Sequence, residues 1–104
     1  SHTGEGTFYD PALGSCGIVS SSSDPVCAIS HLLMDAKKTA DPNKNPLCGS
    51  TILVSYNGGK QVPVKIVDRC VGCAQDDLDL SPSAFEAMGA DKNAGRVKIA
   101  WGFA

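Results

Sequence analysis

The sequence predicts a small, mainly β domain closed into a barrel, with two short helices. Short runs of alternating apolar and polar residues recur along the chain, each stopped by Gly, Pro, Asn or Asp. Only two stretches carry a helical pattern, and the other connections are long and polar. These patterns leave the strand order open. The 104 residues make one domain, spanning 1–104, with room for a single core and no further domain.

Residues 4–9 alternate small and aromatic side chains and read as a first strand, stopped by Asp10-Pro11, so that Thr7 and Tyr9 share a face. The serine run 20–23 has no periodicity and reads as solvated loop. Residues 26–30 form an apolar strand that leads into a short helix over 31–36, and residues 37–46 are a polar connection holding Pro42 and Pro46. The strongest hairpin signal is the pair of alternating runs 50–56 and 61–67 about Asn57-Gly58-Gly59. Pro63 lies in the second run and requires that position to face away from a hydrogen-bonding partner. Ser81 is the N-cap of a second helix with Pro82 in its first turn, Phe85, Ala87 and Met88 behind and Gly89 at its end. Residues 96–103 close the chain as a strand with Val97, Ile99 and Trp101 on one side and Lys98 on the other.

Composition narrows the function classes. A net charge of −2 and 19% charged residues lack the basic excess that nucleic-acid binding needs. No apolar run approaches the roughly 20 residues of a membrane span. The chain opens on polar Ser-His-Thr-Gly-Glu-Gly rather than a signal peptide, so a secreted protein would stand here in processed form. Five cysteines among abundant Gly, Pro and Ser point to an oxidising, extracellular compartment. The reading favoured is a local Cys70–Cys73 disulfide and a long-range Cys16–Cys48 staple, although sequence alone does not assign connectivity. Cys27, in the apolar strand, is then a free, inert thiol. A single C-x-x-C without a second ligand pair argues against zinc, and neither a metal nor an organic cofactor is expected.

Asp68 and Asp79 are the candidate working groups. Asp68 ends the alternating run Val62, Val64, Ile66, and Asp79 sits between Leu78 and Leu80, so apolar neighbours would raise either carboxyl pKa. The alternative is structural: Asp79 ties down the turn before Ser81, and Asp68 caps the loop at Arg69. His31 is the only internal histidine and lies in an apolar helix, where a packed side chain is favoured over a catalytic base. Among the aromatics, Phe8 and Trp101 are expected in the core, while Tyr9, beside the turn, is expected at the surface.

The ordered motifs Gly6-Thr7-Phe8-Tyr9, Ser15-Cys16-Gly17, Cys48-Gly49, Val67-Asp68-Arg69-Cys70 and Leu78-Asp79-Leu80-Ser81-Pro82-Ser83-Ala84-Phe85 resemble the first domain of expansins. The chain is similar to the single-domain loosenins of the rare-lipoprotein-A-like group through its terminal Arg96-Val97-Lys98-Ile99-Ala100-Trp101 stretch. The resemblance implies a six-stranded double-psi β-barrel with an open polysaccharide groove. Asp79 would be its central acid and Asp68 the second groove aspartate, with Thr7, Tyr9 and Asp10 binding substrate. Many expansins have an aromatic residue where Cys70 stands, so one stacking contact is lost.

The resemblance further implies a secreted, monomeric protein that loosens cell-wall polysaccharide (cellulose, chitin or a related β-glycan) without hydrolysis. No second, carbohydrate-binding domain is expected. Family 45 glycoside hydrolases share the barrel and set a base on the first strand, but Asp10 falls one place out of register for it, which disfavours a hydrolase. Two alternatives stand beside this reading: a glycoside hydrolase or lytic transglycosylase using Asp79 as acid, and a protein-binding module such as a protease inhibitor or secreted effector.

Overall fold

The computed structural model describes residues 1–104. Six strands, β1 (His2–Phe8), β2 (Val26–Ser30), β3 (Thr51–Tyr56), β4 (Val62–Cys70), β5 (Leu78–Leu80) and β6 (Val97–Phe103), close into a barrel in the order β1-β5-β2-β4-β3-β6. Two pairings are parallel, β1 with β5 and β2 with β4, and the other four are antiparallel. This is the double-psi β-barrel. No helix is long and apolar enough to cross a membrane.

Period-2 alternation builds the core. Ile29, Ile52, Val54, Val64, Ile66, Leu78 and Leu80 project inward from four adjacent strands and are fully buried, together with Phe85 from the second helix. Phe8 packs on Phe85 at 4.9 Å between ring centroids. Trp101 is buried, stacks on His2 at 4.0 Å and donates its Nε1 hydrogen to the Asp76 carbonyl at 2.9 Å. The backbone comes so close there that any Cβ at Gly4 would collide with that same carbonyl.

The two short helices are set by their caps. In α1 (His31–Ala36), Ser30 Oγ accepts from Leu32 N at 3.1 Å and donates to the Cys73 carbonyl at 3.2 Å. In α2 (Pro82–Ala87), Ser81 Oγ accepts from Ala84 N at 3.2 Å and donates to the Asp24 carbonyl at 2.6 Å. Each cap therefore satisfies a helix end and anchors a distant loop with one buried hydroxyl. The β3–β4 hairpin turns through Asn57 and Gly58, both at positive φ, which Asn and Gly adopt at least cost.

Two elements differ from the periodicity. β1 starts at His2, two residues early, because β6 pairs with it from His2 onward. β4 runs on past Val67 to Cys70, so Asp68 lies within a strand rather than at its end. The parallel partner β2 supports this extension, with a bulge: Cys27 pairs with Ile66 and Ala28 with Asp68, leaving Val67 unpaired. Strict alternation would turn Asp68 inward beside Ile66. The bulge instead leaves both Val67 and Asp68 outside the core, Val67 buried on the side of the 18–20 loop and Asp68 in an open groove.

Disulfides join Cys16 to Cys48 and Cys70 to Cys73, and Cys27 is a free, fully buried thiol. The first closes a loop with a sequence separation of 32, so its removal should be costly. A Cys16→Ser, Cys48→Ser double variant is expected to lose about 3–4 kcal/mol, observed as a melting temperature lower by more than ~10 °C. A shift of a degree or two would mean that the barrel does not rely on this staple.

Candidate functional site

A groove of about 380 Å³ runs across one face of the barrel, and its floor is a single row of residues in register on four neighbouring strands. Thr7 on β1 pairs with Asp79 on β5, Asp79 with Ala28 on β2, and Ala28 with Asp68 on β4. The row depends on β5, whose outer residues Leu78 and Leu80 are drawn into the core and leave Asp79 facing out. Ala28, the smallest chiral side chain, separates the two acids and keeps the floor low. Two strand spacings put the aspartate Cα atoms roughly 10 Å apart.

The acids have different surroundings. Asp79 is half-buried, and Thr7 Oγ1 donates to its Oδ1 at 2.9 Å. Burial pushes its carboxyl above the ordinary value of 3.8; the Thr7 hydrogen bond and the Arg96 charge oppose that shift, and the charge on Asp68 adds to it. Asp68 Oδ1 accepts from the amides of Ser15 at 2.9 Å and Arg69 at 2.8 Å. It thus pins the loop before Cys16 to β4 while facing the groove.

Tyr9 also lines the groove but is not the surface residue that its position beside a turn suggests. Its amide donates to the Leu80 carbonyl at 2.9 Å, so β1 pairing carries on to it, and its hydroxyl is buried without a hydrogen bond in the chain. Burial, with the charges of Asp68 and Asp79, pushes the phenol well above its usual range. Asp10 is not brought to the groove. It is exposed and accepts from Ser22 Oγ at 2.8 Å, giving one member of the serine run a structural partner. Burial and the Asp79 charge push the Cys27 thiol upward, so it stays neutral inside the core. His31 is half-buried at the start of α1, away from the groove lining. No group of three or more His, Cys, Asp or Glu side chains is gathered as a metal site.

Among the groove residues that escaped the sequence reading are Glu5, Arg69, Val71, Asp77 and Arg96. Glu5 was legible, since it alternates with Thr7 and Tyr9. Arg96 was not, because its contact with Glu5, Nη1 to Oε1 at 2.9 Å, exists only once β6 pairs with β1. Val71 belongs to the turn closed by the Cys70–Cys73 disulfide and is 70% exposed, forming an apolar lip.

Residues 2–101 match the family described as lytic transglycolase. The papain inhibitor of Streptomyces mobaraensis is 37% identical over 105 residues, covering 97% of this chain and 70% of its own length. The solved structure of a Streptomyces papain inhibitor superposes with a TM-score of 0.85 at 35% identity, over 98% of this chain and 92% of that one. A mutant expansin of Clavibacter michiganensis in complex with cellohexaose has a TM-score of 0.79 at 27% identity, over 99% of this chain and 50% of that one. An allergen homologue from Arthroderma benhamiae is 34% identical over 84 residues, but the chain spans only 27% of its length.

The raised Asp79 carboxyl has a measurable sign. A folded-state value above the unfolded one means that the native chain binds this proton more tightly, so Asp79 costs stability above its folded pKa and nothing below about 3.8. Asp79→Asn, which still accepts from Thr7, should therefore raise the melting temperature at neutral pH, with the gain vanishing in acid. Thr7→Val should move the Asp79 titration, followed by carboxyl NMR, further upward. A downward move would refute the assigned balance.

Proposed function

Because the chain belongs to the lytic transglycolase family of double-psi β-barrels, we propose that it is a secreted protein that binds β-linked cell-wall polysaccharide in this groove and loosens contacts between chains without cutting them. The observation that carries the reading is the row Thr7, Asp79, Ala28, Asp68 along an open groove, with a half-buried acid at its centre. A carboxyl whose pKa is raised by burial holds its proton to higher pH than a free aspartate and can donate it toward a glycosidic or hydroxyl oxygen. Thr7 fixes the rotation of that carboxyl. Asp68 has an oxygen committed to two amides, which suits a fixed acceptor for sugar hydroxyls better than a base that must turn to activate water. The cellohexaose complex of the similar expansin supports a glycan as occupant, and two disulfides support an extracellular site of action.

A second reading, inhibition of a papain-like protease, is favoured by the papain inhibitor's similarity across nearly the whole chain. A surface suited to it is the loop over residues 12–20, held by a Leu13–Val19 bridge and by the disulfide at Cys16, on which Leu13 and Val19 are 69% and 77% exposed. Such a pre-ordered apolar loop loses little entropy on docking.

The deciding experiment incubates the parent and Asp79→Asn with insoluble cellulose, chitin and peptidoglycan, measuring bound protein, fibre loosening and released reducing ends. Binding by both without sugar release, and loosening lowered ~100-fold or more in the variant, is expected for a proton-donating acid. Sugar released by the parent in proportion to time and absent from the variant would instead make the protein a lytic enzyme. In parallel, papain is titrated with the parent and with a Leu13→Ser, Val19→Ser double variant. Inhibition lost in that double variant but kept in Asp79→Asn, with no glycan bound by either protein, would replace the glycan reading with the protease one.

A further inference from the structure

The charge of the groove is lopsided. Four acids, Glu5, Asp68, Asp77 and Asp79, face two arginines, Arg69 and Arg96. Both arginines are already engaged: Arg96 by Glu5 at 2.9 Å, and Arg69 by Asp35, outside the groove lining, through Nε at 2.8 Å and Nη2 at 2.7 Å. The bidentate Arg69 hydrogen bonds, joined by the charges of Arg69, His31 and Lys38, hold the Asp35 carboxyl below its usual range. Asp68, Asp77 and Asp79 form no salt bridge. Their hydrogen bonds come from neutral donors: the Ser15 and Arg69 amides to Asp68, the Glu5 and Ala74 amides to Asp77, and the Thr7 hydroxyl to Asp79. Neutral donors orient these groups; Asp79 is the proton donor of the reading above and feels the Arg96 charge, so it is Asp68 and Asp77, with no cation paired to either, that leave charge to be met by whatever occupies the groove.

We propose that the groove selects β-glycan bearing free, cationic amino groups, that is, stretches of glucosamine, over the neutral N-acetylated or purely hydroxylic chain. The inference rests on the glycan-binding reading above and sharpens it to a substrate class. An ammonium group on a sugar ring supplies Asp68 and Asp77 with a paired counter-charge that neither arginine, each held by another acid, gives them, with three donors for acceptors already fixed in direction. N-acetylation removes that charge. The apolar surface of the ring can lie against Ala28 and Val71, two of the apolar side chains in the lining.

The test measures binding of three hexasaccharides, of glucosamine, of N-acetylglucosamine and of glucose, by calorimetry at mildly acidic pH. A lysine-rich peptide serves as a fourth probe. Each is run with the parent, Asp68→Asn and Glu5→Gln. Asp68→Asn keeps the oxygen that accepts from Ser15 and Arg69 while losing the charge. Glu5→Gln removes a rim anion and frees Arg96, at an exposed position where folding is not at stake. The glucosamine hexamer is expected to bind about tenfold tighter than the other two, a difference of about 1.4 kcal/mol. That preference should fade between about 0.01 M and 1 M salt, as the Debye length falls from roughly 30 to 3 Å, and should drop severalfold in each variant. Equal affinities for the three sugars, unmoved by salt or by Glu5→Gln, would overturn the amino-sugar inference and leave the glycan reading standing. Binding of the peptide alone, or of no probe, would overturn both.

Discussion

The site depends on the three-residue strand β5 being paired on both sides at once. Thr7 holds it from β1 in parallel, and Ala28 from β2 in antiparallel register. An isolated three-residue strand has no stability of its own, so its position is dictated by Leu78 and Leu80, which are fully buried. Period-2 geometry then leaves Asp79 no direction but outward. The energy that fixes the central acid is therefore core packing on either side of it, and the polar contacts made by its carboxyl are a refinement.

The second acid is placed by a defect. The unpaired Val67 resets the alternation of β4, and the parallel register with β2 resumes at Asp68. Bulges cost ladder hydrogen bonds, and this one is compensated by the burial of Val67 and by the Asp68 carboxylate accepting two amides. One of those amides belongs to Ser15, adjacent to Cys16, whose disulfide reaches Cys48. The groove and the exposed 12–20 loop are thus mechanically joined.

Buried hydroxyls do much of the joining elsewhere. Ser30 connects the start of α1 to the Cys70–Cys73 turn, so the apolar lip at Val71 is held by a disulfide on its own turn and by a cap on another element. Ser81 does the same between α2 and the loop ending at Asp24. Each is a short polar side chain with both donor and acceptor used, which makes its burial affordable. The groove wall is accordingly built on constrained segments, so an occupant of any class would meet a surface that needs little reordering.

Much of this was legible in one dimension because it depends on local periodicity. The hairpin about Asn57-Gly58, the Ser81 cap, the apolar faces of β5 and β6 and the shared face of Thr7 and Tyr9 each follow from neighbours two to four residues apart. The ordered motifs around Asp68 and Asp79 further identified the barrel. Pairing between distant strands decided the rest. The bulge at Val67, the burial of the Tyr9 hydroxyl, the exclusion of Asp10 and the capture of Arg96 by Glu5 arise from registers set between segments tens of residues apart, where alternation carries no information. Sequence thus determined which side chains each strand offers to its two faces. Only closure of the barrel decided which of those faces meet, since register is an interaction between strands and not a property of any one of them.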